Sequence, residues 1–169
     1  MEVRACVTAD LPAVQAIYAH HVLHGTGTFE EVPPTLAEMT ARHEHIVADG
    51  RFPFLVAVDG GRVIGYAYAT EFRARSAYRH TCESSVYIAP DALRRGVGHA
   101  LMHAVIDQCR AHGFREMLAV IGDSQNHASI GLHNALGFAH AGTFHDVGYK
   151  FGRWLDVVLM QLSLRSGEA

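Results

Sequence analysis

The segment LRRGVGHALM, residues 93–102, limits the possible folds most, because two arginines and two glycines stand directly before a run of helical periodicity. Glycine is among the weakest helix formers, so its use at the start of a helix needs a physical reason. The first N–H groups of a helix are unpaired and lie at the positive end of its dipole, where they bind anions. Glycines let the main chain approach a phosphate, and the guanidinium groups of Arg94 and Arg95 suit phosphate oxygens. The segment therefore predicts a phosphate-binding loop, although a glycine-containing turn with two solvated arginines has the same pattern.

Two common phosphate-binding loops do not fit this segment. A Walker loop ends in Gly-Lys followed by Ser or Thr, and this segment has no such ending. The dinucleotide fingerprint needs a third glycine at the position where this sequence has Leu101. The segment is therefore neither of these two loops.

Hydrophobic periodicity predicts the element order βααβββαβαββ. The turn Asp59-Gly60-Gly61 is a strong hairpin signal between the second and third strands. Strands are predicted over residues 2–7, 52–58, 62–72, 84–89, 117–121, 138–146 and 153–163. Helices are predicted over residues 11–22, 36–48, 94–112 and 129–136. Because no repeat or linker divides the chain, we predict one domain over residues 1–169.

Composition and charge indicate the class of partner. A net charge of -3 gives no general attraction to nucleic acid or anionic membranes. Cys6, Cys82 and Cys109 are an odd number without Cys-x-x-Cys spacing, which favours a reducing compartment. The sequence has neither a secretory leader nor an apolar run of about 18 residues. We therefore expect a cytoplasmic protein that binds small molecules, with no nucleic-acid and no membrane partner.

Thirteen histidines raise the question of a metal site. His20 and His24 are spaced to share one face of a helix, but the spacing indicates no third ligand. The stretch His43-Glu44-His45 lacks the order of the His-Glu-x-x-His zinc motif. We therefore predict no metal.

The segment Arg95–Ala100, between a predicted strand and a long amphipathic helix, resembles the acyl-CoA pyrophosphate loop of the GNAT superfamily of N-acetyltransferases. The segment QNHASIGLHNALGF, residues 125–138, is similar to the second cofactor segment of that superfamily. More narrowly, IYAHHVLHGTGTFEEVPPT (17–35) and VGYKFGRWLDVVLMQ (147–161) resemble the branch that acetylates phosphinothricin and methionine sulfoximine. The resemblance covers nearly the whole chain.

The resemblance implies a fold and a reaction. The fold is α/β (α+β), with a mixed, mostly antiparallel sheet of about seven strands, about four flanking helices, and splayed fourth and fifth strands. The reaction is acetyl transfer from acetyl-CoA to the primary amine of a small amino acid or analogue, such as methionine sulfoximine, methionine sulfone or phosphinothricin. Direct attack in a ternary complex is implied, without an acetyl-cysteine intermediate. The expected assembly is a homodimer, and Tyr149, Lys150 and Trp154 are expected to shape the pocket or a dimer contact.

The resemblance also assigns the residues that hold acetyl-CoA. Backbone amides of the fourth strand are implied to hold the pantetheine arm, and the glycine loop the pyrophosphate. Asn126 is implied to border the pantetheine arm, although an asparagine at a helix start is also a plain cap. The cofactor set is Val86, Tyr87, Ile88, Arg94, Arg95, Gly96, Val97, Gly98, His99, Asn126 and Ser129.

The chemistry of acetyl transfer needs proton transfers. The amine must lose a proton, the thioester oxygen needs a hydrogen-bond donor, and the leaving thiolate benefits from a proton donor. Glu83, at the start of the fourth strand beside the implied splay, is the candidate base, directly or through water; a surface carboxylate is the alternative. His133 stands where many relatives have the tyrosine that protonates the thiolate, and a helix-packing histidine is the alternative.

Acceptor recognition is expected from loops over the open end of the sheet. Arg75 is the candidate for a bidentate contact with an acceptor carboxylate, assisted by Tyr78 or His80. Phe29 is the candidate for closure over the acceptor side chain. Ordinary loop surface is the alternative for each of them. The acceptor set is Phe29, Glu30, Arg75, Tyr78, His80, Glu83 and Ser85.

Two other functions stay open at this point. A protein with this fold could acetylate another amine, such as a protein N-terminus or a polyamine. It could also be a non-catalytic module that senses acyl-CoA. A polyamine enzyme would favour acidic residues over Arg73 and Arg75 in the acceptor loop. A peptide enzyme would need an open groove, whereas the loop TFEEVPP, residues 28–34, is long enough to cover the site.

Overall fold

The elements follow the predicted order in a computed structural model that describes residues 1–165. Residues 166–169 of the predicted domain lie outside the described residues. The strands are β1 Glu2–Ala5, β2 Phe54–Asp59, β3 Arg62–Glu71, β4 Thr81–Ile88, β5 Glu116–Gly122, β6 Ala139–Lys150 and β7 Arg153–Ser163. The helices are α1 Leu11–His24, α2 Leu36–Val47, α3 Val97–Ala111 and α4 His127–Ala135.

The strands form one seven-stranded sheet in the order β1-β2-β3-β4-β5-β7-β6. Neighbouring strands are antiparallel, except that β4 and β5 run parallel. A parallel pair needs a crossover, which α3 provides. This topology confirms the predicted mixed, mostly antiparallel sheet with four helices.

The helices cover both faces of the sheet, as β4 illustrates. Successive side chains of a strand point to opposite faces. Cys82 contacts Cys109 of α3, whereas the ring of Tyr87 packs edge-on against Tyr18 of α1 with 5.0 Å between ring centres. The helices α1 and α3 therefore lie on opposite faces, and the core consists of two layers with the sheet between them.

The first strand is shorter than predicted, because an ion pair turns the chain. The Asp10 carboxylate accepts hydrogen bonds from the Val7 amide at 2.9 Å and from both terminal nitrogens of Arg4 at 2.6 and 2.9 Å. The chain leaves the sheet after Ala5, where alternation of side chains alone predicts a strand to residue 7.

The strand β6 is longer than predicted and irregular. Its pairing with β7 shifts register between His140 and Gly142 and again between Phe144 and Gly148. Each shift breaks the alternation of apolar side chains, so the pattern after residue 146 does not look like a strand. The continuation to Lys150 brings this part of β6 next to the loop between α1 and α2.

Candidate active site

A wedge opens in the middle of the sheet where β4 and β5 separate. These strands pair from Thr81 opposite Glu116 only to Ser84 opposite Ala119. Beyond these residues β4 continues to Ile88 beside β3, and β5 continues to Gly122 beside β7. The predicted splay of the fourth and fifth strands is therefore present, and it exposes one backbone edge of each strand.

The backbone groups that β4 presents to the wedge are those of Val86 and Ile88. The Ala89 amide donates to the Ile64 carbonyl at 2.9 Å. In an antiparallel pair every second residue faces the partner, so Val86 and Ile88 face away from β3. His21 of α1 donates from Nε2 to the Ile88 carbonyl at 2.8 Å. Burial lowers the pKa of His21, against the effect of this hydrogen bond, so the ring is a neutral donor that fixes the end of β4.

The glycine loop ends at an open helix N-terminus. Arg94 and Gly96 have φ values of 59° and 77°, so α3 begins at Val97 and not at residue 94 as predicted. The Ala100 amide donates to the Gly96 carbonyl at 3.0 Å, which leaves the amides before it pointing out of the helix end. A Cβ atom on Gly98 would lie 3.1 Å from Leu132 Cδ2, so a side chain is crowded there. The loop therefore has the geometry of an anion site.

A cavity of 720 Å³ joins the wedge to this helix end. Of the eleven predicted cofactor residues, ten line it. They are Val86, Tyr87, Ile88, Arg94, Gly96, Val97, Gly98, His99, Asn126 and Ser129. Arg95 is the exception, because its guanidinium pairs with Asp59 at the end of β2 at 2.6 Å. The cavity has the size of a typical ligand site and is mainly apolar around the wedge, with an anion site at one end.

The start of α4 forms one wall of the cavity. Asn126 Oδ1 accepts from the Ser129 amide at 3.2 Å, so Asn126 caps the helix and also lines the cavity. The buried ring of His133 donates from Nδ1 to the Ser129 carbonyl at 2.8 Å and packs edge-on against Phe138. Burial lowers the pKa of His133, against this hydrogen bond. In the neutral ring Nε2 therefore carries a lone pair, which accepts a proton and does not donate one.

Glu83 lies one residue before the point where the strands separate. It pairs with Thr70 of β3 and Leu118 of β5. By alternation from Cys82, its side chain is on the face that α1 and α2 cover, outside the cavity lining. Burial raises the pKa of this carboxyl group. A half-buried carboxylate with a raised pKa beside the wedge has the properties of a general base.

The remaining predicted acceptor residues lie in three places. Ser85 lines the cavity and lies opposite Tyr68 of β3 in the sheet. The ring of Phe29 packs on Gly148 of β6, where any Cβ atom would overlap it. Glu30 pairs with Arg42 of α2 at 2.9 Å. The α1–α2 loop is thus attached to β6 on one side and to α2 on the other.

The connection before β4 is the third place, and it does not line the cavity. Arg75 and His80 are exposed, and Tyr78 packs against Phe72 with 5.5 Å between ring centres. The His80 carbonyl accepts from the Arg115 amide at 2.8 Å. The fold therefore does not gather the predicted acceptor residues into one pocket.

Several residues of the site carry no chemical motif in the sequence. His21, Gly27 and Leu132 also line the cavity. His21 follows Tyr18 by one helical turn, so the apolar stripe of α1 gave a signal for it. For Gly27, in an irregular loop, no periodic signal exists.

Two further observations concern metal ions and membranes. Within residues 1–165 there is no group of three or more His, Cys, Asp or Glu side chains arranged to hold a metal ion. Over the same residues, no helix combines the length and apolar character that crossing a membrane requires.

Comparison with known proteins gives matches over nearly the whole chain. Residues 3–159 match the family model of the acetyltransferase (GNAT) domain. A phosphinothricin N-acetyltransferase of Alcaligenes faecalis is 54% identical, over 98% of this chain and 84% of that protein. An L-methionine sulfoximine/L-methionine sulfone acetyltransferase of Pseudomonas paraeruginosa is 43% identical, over 96% of this chain and 94% of that protein. The crystal structure of a GNAT superfamily phosphinothricin acetyltransferase from Sinorhizobium meliloti in complex with AcCoA has a TM-score of 0.95 and 46% identity, over 99% of this chain and 90% of that one.

Proposed function

The chain belongs to the GNAT family of acetyltransferases and uses acetyl-CoA, and we propose that its acceptor is the primary amine of a small amino acid or analogue. Phosphinothricin, methionine sulfoximine and methionine sulfone are the analogues that the names of its relatives suggest. The similarity to these relatives over nearly the whole chain supports the proposed acceptor, and the cavity between the separated strands, which ends at the open N-terminus of α3, supports the binding of acetyl-CoA. A wedge with free backbone groups and an anion site at one end fits a pantetheine arm and a pyrophosphate.

Each end of the cavity has its own proposed task. The amides of Val97, Gly98 and His99 receive the pyrophosphate, and Arg94 adds a charge beside them. The backbone of Val86 and the amide of Ile88 pair with the pantetheine arm as a missing strand would, since His21 already binds the Ile88 carbonyl. Bound acetyl-CoA supplies the activated acetyl group. Arg95 supports the loop through Asp59 instead of contacting phosphate.

Glu83 is the proposed base that removes the proton of the acceptor amine. Its position before the separation of β4 and β5 and its raised pKa support this role. His133 is a second candidate to accept the proton, because its neutral ring presents a lone pair at Nε2. A neutral His133 does not protonate the thiolate in this proposal, because its one ring proton is at Nδ1 and is donated to the Ser129 carbonyl. Water is then the proton donor for the thiolate.

The acceptor proposal is tested by release of free thiol from acetyl-CoA. The acceptors tested are proteinogenic amino acids, methionine sulfone, methionine sulfoximine, phosphinothricin, polyamines and a peptide with a free N-terminus. Turnover is expected with amino acids or analogues and not with the last two classes. Preference for polyamines or the peptide would overturn the proposal, and binding of acetyl-CoA without thiol release from any amine would identify a sensor.

Arg75 is the proposed partner of the acceptor carboxylate, and Tyr78 and His80 are its neighbours. Because Arg75 is exposed, the contact is worth less than a buried pair. We expect Arg75→Ala to lower kcat/KM by about tenfold for an amino acid and hardly at all for the matching amine without a carboxylate. Both substrates are measured with both proteins, and equal losses would reject the role.

We further propose a homodimer that forms through the C-terminal hairpin. Large apolar side chains on β6, on the β6–β7 turn and at the start of β7 are 53% to 63% exposed: Phe144, Val147, Tyr149, Phe151 and Trp154. Such a patch on an edge strand supports an interface with a second copy. Sedimentation equilibrium is expected to give twice the 18.5 kDa of one chain; a monomer at micromolar concentration would reject it.

A cytoplasmic location is the last part of the proposal. Cys6, Cys82 and Cys109 are free thiols, which supports a reducing compartment. Cell fractionation tests this, and recovery from an extracytoplasmic fraction would contradict it.

A further inference from the structure

Lys150 stands out in both sequence and structure. It is the single lysine of the sequence, which also has thirteen arginines. It lies at the end of β6, and its side chain is 2% exposed. Lysine is rarely buried to this extent, so its function must come from its contacts.

The ammonium of Lys150 binds backbone carbonyl groups of the α1–α2 loop. Nζ donates to the Gly25 carbonyl at 2.8 Å and to the Thr28 carbonyl at 2.9 Å. One side chain thus holds both ends of a four-residue turn that lies more than one hundred positions earlier in the chain.

A buried ammonium is a costly way to stabilise a fold. Burial lowers the pKa of Lys150, while Glu31 and Glu30 act in the opposite direction. Two carbonyl acceptors offset the lost hydration only in part, and an apolar side chain of similar volume often stabilises as well or better. The specific gain from lysine is that its point charge fixes the position of two chosen carbonyl groups.

The segment that Lys150 fixes is next to the wedge. Gly27 lines the cavity beside Asn126. The Thr26 hydroxyl donates to Asp123, after the end of β5, at 2.8 Å. A Cβ atom on Gly122 would overlap the Thr26 carbonyl oxygen, so the loop lies directly on the end of β5.

We propose that Lys150 is a positioning residue for the acceptor. By holding the Gly25 and Thr28 carbonyls, it fixes Gly27 at the cavity and Phe29 against β6, and so sets the space for the acceptor side chain. This role rests on the proposed acetylation of small amino acids. It differs from the contact or pocket wall that the sequence predicts for residue 150, because Lys150 acts through the loop.

The test compares Lys150→Met, which keeps the length of the side chain and removes its charge, with Arg110→Met. Arg110 lies on α3 and pairs with Asp107, so its replacement removes a cation away from the loop. Lys150→Met is expected to raise the KM of the preferred amine about tenfold, while the Kd of acetyl-CoA changes less than about twofold. It should also reduce discrimination between acceptors with large and small side chains. Arg110→Met should leave all three quantities unchanged.

The experiment distinguishes failure of the role proposed for Lys150 from failure of the proposed acetylation of amino acids. A wild-type enzyme that acetylates no amino acid overturns both. If the wild type is active, two results overturn the role of Lys150 alone. One is a Lys150→Met enzyme with an unchanged KM for the amine. The other is a Lys150→Met enzyme in which the KM of the amine and the Kd of acetyl-CoA change by the same factor.

A second measurement does not require the variant to fold. Labelling with lysine that carries 13C only at Cε gives one side-chain signal, because the sequence has one lysine. In wild-type enzyme with CoA, addition of the preferred amine should shift this signal with a saturation curve that follows amine binding. A signal that does not move at saturation would overturn the proposal.

Discussion

Gly98→Glu is expected to raise the KM for acetyl-CoA by about 100-fold, with much less effect on the KM of the amine. The variant places a carboxylate at the helix end proposed to bind the pyrophosphate, where like charges repel. A side chain there also presses on Leu132, 3.1 Å from the Cβ position, and on Ile88. Initial rates at varied acetyl-CoA and direct binding by calorimetry measure the effect.

Two controls divide this effect into its causes. Gly98→Ala adds the crowding without the charge and is expected to cost only part of the affinity. Gly131→Glu adds a carboxylate to α4, where a Cβ atom meets no other atom within 4 Å, and should leave acetyl-CoA binding intact. A folded Gly98→Glu enzyme with normal affinity for acetyl-CoA would show that the pyrophosphate does not bind at the start of α3.

The position of the predicted cofactor residues at the cavity was predictable because it depends on local chain properties. A strand followed by glycines and an amphipathic helix must produce an open helix end next to a strand end, whatever the rest of the chain does. The exact start of α3 was not predictable, since Arg94 adopts a left-handed conformation that is unusual for arginine. The sequence also did not predict that Arg95 lies outside the cavity lining, because this position depends on an ion pair with Asp59, thirty-six residues earlier.

The acceptor residues were less predictable because they depend on distant contacts. The sequence predicts that Phe29 and Arg75 contact the acceptor, and in the structure the two residues lie on different loops. Lys150 is predicted to shape the pocket or a dimer contact, and nothing in the sequence indicates that it binds carbonyls of a loop from the start of the chain. Lys150 lies at the end of a strand whose pairing shifts register twice, and register shifts leave no periodic pattern from which the contact could be predicted.

Glu83→Gln is expected to lower the turnover number by about 100-fold or more at neutral pH. Glutamine keeps the shape and the hydrogen-bonding capacity of the side chain but does not accept the proton of the amine. The KM for acetyl-CoA should hardly change, because Glu83 lies outside the cavity lining. Glu71→Gln is the matched control, since Glu71 is an exposed carboxylate at the end of the neighbouring strand β3.

The pH profile distinguishes a base from a packing residue. Burial raises the pKa of Glu83, so the wild-type rate should fall as the pH drops through that raised value and the carboxylate becomes protonated. The glutamine variant lacks this titration, and its defect should shrink in alkaline buffer, where more of the amine is already deprotonated. A packing defect would persist at every pH. Near wild-type turnover of Glu83→Gln across the whole range would leave His133 or water to remove the proton, with the backbone of β4 holding the reactants in place.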